Sequence, residues 1–303
     1  MKHIFIVNPF AGKKKFSSQL REQLNAIKGL DYYVFNTRGA GKEAEVIQEI
    51  CDIFMDEPFR IYCCGGSGTM RNMLDGFDDL SKVEVAFYPC GLSNDFLKVF
   101  GRNEKRFLDI EELIYGDVIS VDYIRTNHGI ALNTVSVGVD SRIVEKLEYF
   151  RNTKIFGRQL PYTLAQIDGA LLSRPMEYEI CLDEEYIEGK FTEIFFGNGG
   201  IIGRNLHMAQ NPCVTDGFAN VVLVPALGPL QTAVIQSRLR SKYAGEIDTI
   251  LSRANVKKMK LRLKNGKPFG MNLDGELIRD VTEWEMEIVP KGLRFVVPKG
   301  VVI

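Results

Sequence analysis

Four stretches of this chain hold glycines, amides and carboxylates at spacings that chemistry can use. "GGSGT" (65–69) follows the apolar run "RIYCC" and leads into a helical segment. Consecutive glycines can turn several backbone N–H groups toward one point, and a following helix adds its positive end, so the stretch can cradle a phosphate. It reads equally as a ligand-free strand–helix turn, where glycine is common. It is not a Walker A loop, which needs Gly-Lys-Ser/Thr at the helix start. "NPFAGKKK" (8–15) sets Asn8 and Pro9 at a strand end, then Gly12 and three lysines, either a phosphate-contacting loop or a solvated basic one. "PCGLSNDF" (89–96) offers Asn94 and Asp95 for a ribose or metal contact, with helix capping the simpler role. "NLDGEL" (272–277) places Asp274 and Glu276 either side of a glycine, as an acid–base pair or as a β-turn with its acids facing water.

The elements around these loops alternate over the first 120 residues. "HIFIVN", "YYVFNT", "RIYCC" and "VEVAFYP" read as strands, while Leu20, Leu24 and Ile27, then Ala44, Ile47 and Ile50–Cys51, recur at helical spacing. Strands separated by helices imply parallel pairing in an α/β sheet, whose ligands sit off the carboxyl ends of the strands. Three of the four stretches lie at such ends. From about residue 117 the pattern changes to antiparallel-type alternation in "VISVDYIRT" and "GIALNTVSVGV". A helical interlude over about 158–173 follows, then strand-like segments at 176–182, 191–197, 218–224, 256–263 and 284–289, with "KNGK" as a turn. The expectation is an α/β nucleotide-type domain over 1–119, a mostly β domain over 120–292, and a last segment, about 293–303, returning to the first.

Composition narrows the class. Of 303 residues, 45% are hydrophobic and 25% charged, enough for a buried two-domain core. A net charge of −1 gives no overall electrostatic case for nucleic acid. Cys51, Cys63, Cys64, Cys90, Cys181 and Cys213 have no zinc-like spacing, and Cys63–Cys64 read as small buried hydrophobes. A reducing, cytoplasmic setting is expected. The opening "MKHIFIVNPF" is too short for a signal peptide, and no apolar run approaches the roughly 20 residues that cross a bilayer.

Taken in order, "VNPFAG", "GGSGTMRNML", "YPCGLSNDF", "NTVSVGVD", "FGNGGIIG…MAQNPCVTDG" and "NLDGE" resemble the diacylglycerol kinase catalytic-domain family, which includes bacterial lipid kinases and sphingosine kinases. The resemblance runs from about residue 3 to 298. It implies an ATP-dependent lipid kinase with an N-terminal α/β domain and a C-terminal antiparallel β-sandwich, ATP lying in the cleft between them. On the matching positions, Asn8, Thr37, Gly65, Gly66, Ser67, Gly68, Thr69, Asn94 and Asp95 would form the nucleotide site. Asp216, with the carbonyls of Cys213 and Phe218, would hold a structural Mg²⁺, an ion that takes oxygen ligands and water. Glu276 would be the base that takes the hydroxyl proton, and Asp274 its orienting or metal-linked neighbour. NAD kinases and phosphofructokinases share a Gly-Gly-Asp-Gly loop, but not "NPFAG" at the first strand or "NDF" after the fourth.

The chain departs from the family pattern where negative charge is expected. Ser67 stands for Asp in the glycine loop, Asn72 for a Glu soon after it, Leu92 and Ser93 for the common Thr and Gly, and Asn220 for an Asp after "DG". A serine hydroxyl can still meet Mg²⁺ or a phosphate oxygen, so an active but altered lipid kinase is the main reading, with diacylglycerol as default acceptor. The competing readings are a weakly active or inactive nucleotide- or lipid-binding relative, and a kinase for a soluble hydroxyl substrate. Residues 237–267 hold ten basic residues against Glu246 and Asp248, and in "KMKLRLK" (258–264) the charges alternate with Met259, Leu261 and Leu263. That stripe is either a peripheral contact with anionic lipid or a solvated strand face. Apolar residues in 149–167 either line an acyl-chain path or belong to the core. Self-association into a homodimer is left open.

Overall fold

The computed structural model describes residues 1–9, 15–39, 41–54, 57–91, 94–152, 160–203, 205–240 and 249–302. Gly12, Lys13 and Lys14 of the first loop, Leu92 and Ser93, residues 153–159 of the apolar stretch, and Lys242, Glu246 and Asp248 lie outside the described residues. The chain divides into two units. The first comprises Met1–Tyr123, Val214–Asp216 and Val289–Ile303, the second Ile124–Cys213 and Gly217–Ile288.

In the first unit the chain runs β1 (Lys2–Val7), α1 (Lys15–Ala26), β2 (Tyr32–Asn36), α2 (Glu43–Ile53), β3 (Phe59–Gly65), α3 (Ser67–Leu74) and β4 (Glu84–Pro89). Short 3₁₀ turns over Asp95–Leu108, then α4 (Ile110–Ile114) and, up to Tyr123, the first part of β5 (Asp117–Thr126), complete it. The strands pair in parallel in the order β2–β1–β3–β4. Residues 294–296, near the end of the chain, add a fifth parallel strand beside β4. β1, β3 and β4 are buried on both faces, which is why they read as unbroken apolar runs. Cys63 and Cys64 are part of that core, and all six cysteines are free thiols. α2 buries Val46, Ile47 and Ile50, one stripe of a 3.6-residue repeat. The buried Arg60 pairs with Glu84 at 2.8 Å and donates to the carbonyls of Leu113 and Ile114, closing the carboxyl end of α4.

The second unit follows with β6 (Gly129–Ala131), β7 (Thr134–Gly138), α5 (Val139–Asn152), α6 (Leu160–Leu172), β8 (Met176–Leu182) and β9 (Glu185–Gly197). Next come β10 (Ile201–Ile202), β11 (Leu206–His207), β12 (Ala219–Pro225), α7 (Pro229–Leu239), β13 (Ser252–Val256), β14 (Lys258–Leu263), β15 (Phe269–Leu273), β16 (Glu276–Val281) and, up to Ile288, the first part of β17 (Glu283–Val297). Pairing here is antiparallel, in the order β16–β15–β7–β9–β8–β14–β17, with β12 between β9 and β13. Trp284, Tyr178, Phe196 and Leu273 lie in its main core. A satellite core of Phe195, Val222, Ile235 and Leu239 forms under α7.

The fold class is the expected one, an α/β domain with a parallel sheet and an antiparallel β-sandwich. Strands β13, β15 and β16 are not among the expected segments, and three further elements depart in instructive ways. "GIALNTVSVGV" stops being strand at Gly138, where the repeat lengthens from two residues to that of α5. α7 buries only Thr232, Ile235 and Leu239, while Leu230 and Val234 stay exposed, so its apolar stripe is faint in the sequence. The first half of β9 is largely exposed, so the pattern announced only its buried second half.

Candidate functional site

The glycine loop of the first unit is built from close backbone approach. β3 ends at Gly65, Gly66 is extended (φ −105°, ψ −176°), and α3 begins at Ser67. The Gly65 carbonyl accepts N–H bonds from Cys90 (2.7 Å) and Gly91 (3.1 Å), which ties the end of β3 to the end of β4. A Cβ on Gly65 would lie 2.5 Å from that of Thr69, and one on Gly91 would lie 2.5 Å from the Gly66 Cα. Only glycine fits either place. A Cβ on Gly68 would meet nothing. The opening turn of α3 leaves backbone N–H groups without intrahelical partners and contains no acid, so its positive end is suited to an anion.

The neighbouring strands supply the rest. In a sheet ordered β2–β1–β3–β4, successive connections leave β1 in opposite directions, and the crevice between the ends of β1 and β3 is where such sheets bind ligands. Asn8, just past β1, spans it: its N–H bonds the Cys64 carbonyl at 3.1 Å, and its Nδ2 donates to Thr69 Oγ1 at 2.9 Å. Thr37, past β2, donates its N–H to the Val7 carbonyl and keeps Oγ1 buried without a protein hydrogen bond. Asn94 donates from Nδ2 to the Gly91 carbonyl at 3.3 Å, and its Oδ1 likewise has no protein partner. Asp95 is buried and paired with Lys98 at 2.8 Å. The structure thus gathers Asn8, Thr37, Gly65–Thr69 and Asn94 at one end of one sheet.

Asp274 and Glu276 belong to the second unit. Leu273 pairs with Glu276, so Asp274 (φ 50°) and Gly275 (φ 92°) form the two-residue turn between β15 and β16. Positive φ at both places is the mirror-type hairpin geometry that Asp-Gly favours. The two acids have different surroundings. Asp274 is buried, and its carboxylate accepts N–H bonds from Leu132 (2.6 Å), Asn133 (3.1 Å) and Thr134 (2.8 Å). It holds the segment entering β7, and does not face water as a simple turn acid would. Glu276 opens β16 with a half-buried side chain.

Behind this turn lies a polar network that the sequence reading did not pick out. Asn272 accepts from the Gly275 N–H (2.7 Å) through Oδ1 and donates from Nδ2 to Asp140 Oδ2 (2.6 Å). Ser136 Oγ donates to the same Asp140 oxygen at 2.6 Å, and the Asp140 N–H donates to Glu193 Oε2 at 2.9 Å. Glu193 is buried, and burial, followed by the nearby Asp140 charge, pushes its carboxyl well above the usual carboxylate range. The only trace in the sequence is a polar residue within each apolar strand, Ser136 in β7 and Asn272 in β15, and nothing local marks the two as partners. Asp140 and Glu193 also face a small cavity of about 30 Å³, walled by Ile143, Leu206, Ile235 and Leu239.

Asp216, Cys213 and Phe218 share one short loop that turns at Gly217 (φ 77°), with Asp216 exposed. The loop is tied down by the Asp122 N–H on the Val214 carbonyl at 2.7 Å. Among the described residues no group of three His, Cys, Asp or Glu side chains is placed to hold a metal. A cation here would have one carboxylate plus main-chain carbonyls and water. That donor set suits a hard ion such as Mg²⁺, which keeps several waters, and does not suit zinc.

Comparison with known proteins agrees with this layout. Residues 2–126 match the model of the diacylglycerol kinase catalytic domain, and residues 133–297 that of the YegS C-terminal NAD kinase beta sandwich-like domain. A Shewanella frigidimarina protein named "Probable lipid kinase YegS-like" is 23% identical over 296 residues, 95% of this chain and 92% of its own. A solved structure described as a diacylglycerol kinase from Bacillus anthracis superposes with a TM-score of 0.71 at 18% identity, covering 99% of this chain and 98% of that one. Yeast NADH kinase, solved with NADH, gives a TM-score of 0.51 at 10% identity over 98% of this chain and 83% of its own, a likeness of fold.

Proposed function

This chain belongs to the diacylglycerol kinase catalytic-domain family, and from that premise we propose that it transfers the γ-phosphoryl group of ATP to a lipid hydroxyl, with diacylglycerol the first acceptor to test. The observation that carries the reading is the crevice between β1 and β3. There the acid-free start of α3, the Asn8 amide and the Thr37 hydroxyl offer an anion hydrogen-bond donors, and Asn94 Oδ1 is left to accept from an N–H or hydroxyl of a nucleotide. In the proposed reaction the lipid hydroxyl gives its proton to the Glu276 carboxylate as its oxygen bonds the γ-phosphorus, and the bond from that phosphorus to the β–γ bridging oxygen breaks, releasing ADP. Asp274 orients this turn through its three backbone N–H bonds. Bound Mg²⁺ would neutralise phosphate charge, and Asp216 with the carbonyls of Cys213 and Phe218 would hold a structural ion.

A weakly active relative is the second reading, because α3 lacks an acid in its first turn and the Asn72 amide is engaged by Arg71 at 2.8 Å. The test is transfer of radiolabel from ATP to a panel of diacylglycerol, phosphatidylglycerol and sphingoid lipids by wild type, Glu276→Gln and Ser67→Asp. Product from wild type that disappears in Glu276→Gln supports the kinase. A silent wild type beside an active Ser67→Asp supports the weakened relative.

Lipid contact is proposed to be peripheral; among the described residues no helix is long and apolar enough to cross a membrane. The basic stripe of β14 is a poor candidate for it. Lys258 and Lys260 pair with Glu287 (3.2 Å) and Glu285 (2.6 Å), and Arg262 and Lys264 pair with Glu179 and Glu188. α6 packs on α7, and the two expose Leu171, Leu172, Leu230 and Val234, which supports an apolar contact there. Vesicle binding that survives salt and falls in Leu230→Ser would favour the helices; a steep loss with salt would favour the stripe.

A further inference from the structure

The network behind the 274–276 turn has an arrangement that packing alone does not require. Asn272 is the last inward polar residue before the turn, and each end of its amide has a separate partner. Oδ1 takes the Gly275 N–H at 2.7 Å, and Nδ2 gives to Asp140 Oδ2 at 2.6 Å, with Ser136 Oγ at 3.4 Å. Asp140 accepts a second bond from Ser136 Oγ (2.6 Å) and anchors its own N–H on Glu193 (2.9 Å). The amide cannot rotate by half a turn without setting a carbonyl oxygen against a carboxylate and an NH₂ against an N–H. Its orientation is therefore dictated by Asp140, and through it the position of the Gly275 amide, one residue from Glu276.

We infer that Asn272, oriented by Asp140, is a positioning residue that sets where Glu276 presents its carboxylate. This rests on the kinase reading above. Asp274 secures one side of the turn on the backbone of 132–134, and the Asn272–Asp140 pair secures the other. A displacement near 1 Å of a reacting group can cost on the order of 100-fold in rate, so the role belongs to kcat and not to substrate affinity.

The test uses the full-length protein carrying Asn272→Ala, Asn272→Asp, and the exchange Asn272→Asp with Asp140→Asn. Three quantities are read: lipid phosphorylation with kcat and KM separated, thermal stability, and amide hydrogen exchange at Gly275 by NMR. Asn272→Ala is expected to speed exchange at Gly275 and lower kcat about 10- to 100-fold, with KM for ATP and lipid within about twofold. Asn272→Asp sets two carboxylates against each other and is expected to lose activity similarly. The exchanged pair restores one donor facing one acceptor, and kcat should recover most of the loss. Unchanged exchange at Gly275 in a folded Asn272→Ala overturns the inference. So does a kcat that falls only with the folded fraction, or an exchanged pair that regains stability but not kcat. If wild type phosphorylates no lipid, the kinase reading fails, while Gly275 exchange still decides whether Asn272 holds the turn.

Discussion

At the end of β3 the chain meets its neighbours backbone to backbone. Gly65 receives two N–H groups from the end of β4, and Gly91 lies so close to Gly66 that a methyl group has no room. At the β15–β16 turn the meeting is side chain to backbone: Asp274 takes three N–H groups, Asn272 a fourth, and the network continues through Asp140 to Glu193. The first unit therefore offers the start of a helix with no acid in its first turn, which fits holding phosphate oxygens. The second commits one carboxylate to structure and leaves Glu276 half-buried at the turn, which fits taking a proton. Binding and proton transfer need opposite electrostatics, and the two turns are built in correspondingly different ways.

The largest break in this contrast comes from Glu276→Gln. It should lower phosphoryl transfer by about 10²–10⁴-fold while leaving nucleotide affinity, measured by titration calorimetry, near the wild-type value. Loss of both would mean that the two turns do not divide the labour. Next, Gly91→Ala should weaken nucleotide binding and cost about 1–3 kcal/mol of stability, since its Cβ would meet backbone, whereas Gly68→Ala, which meets nothing, should be nearly silent in the same melts.

The units should also differ in their response to pH. Burial, then the charge of Arg60, pushes His3 in the first unit down to about 4, and its Nδ1 lies 2.7 Å from the Tyr62 hydroxyl. The unfolded chain binds that proton more readily, so stability from His3 is present above about 6.5 and is lost as pH falls toward 4. Glu193 has the opposite sign. Its raised folded value makes stability fullest below about 4.5 and lost as pH rises through the folded value, at up to about 1.4 kcal/mol per pH unit. Glu193→Gln should flatten the loss on the alkaline side and His3→Gln that on the acid side, as read from urea midpoints against pH. The smallest effect is expected from Ser67→Asp: about 0.3–1 kcal/mol of added stability from a carboxylate at the start of α3, with a larger change in the Mg²⁺ concentration needed for half-maximal activity.

Much of this was legible in the residue order. The parallel strands announced themselves because strands covered on both faces must be apolar throughout, and Asp-Gly between paired strands marks a hairpin turn wherever it occurs. Six ordered motifs identified the family. α7 and the first half of β9 were hidden because their exposed residues dilute the periodic signal. The network of Ser136, Asp140, Glu193 and Asn272 was hidden for another reason: its members are up to 136 residues apart in the chain, and nothing local marks them as partners.

By itself, the sequence determined the types of the fully buried strands and the more regular helices, the parallel and antiparallel halves, and the lack of acids around Ser67, since these follow from periodicity and composition along short windows. Tertiary structure alone decided that Asp274 is occupied by the backbone N–H groups of residues 132–134, and that the basic stripe of β14 is neutralised by its neighbours. Two carboxylates two residues apart look alike in a sequence. What a carboxylate can do depends on which donors the rest of the fold brings within about 3 Å of it.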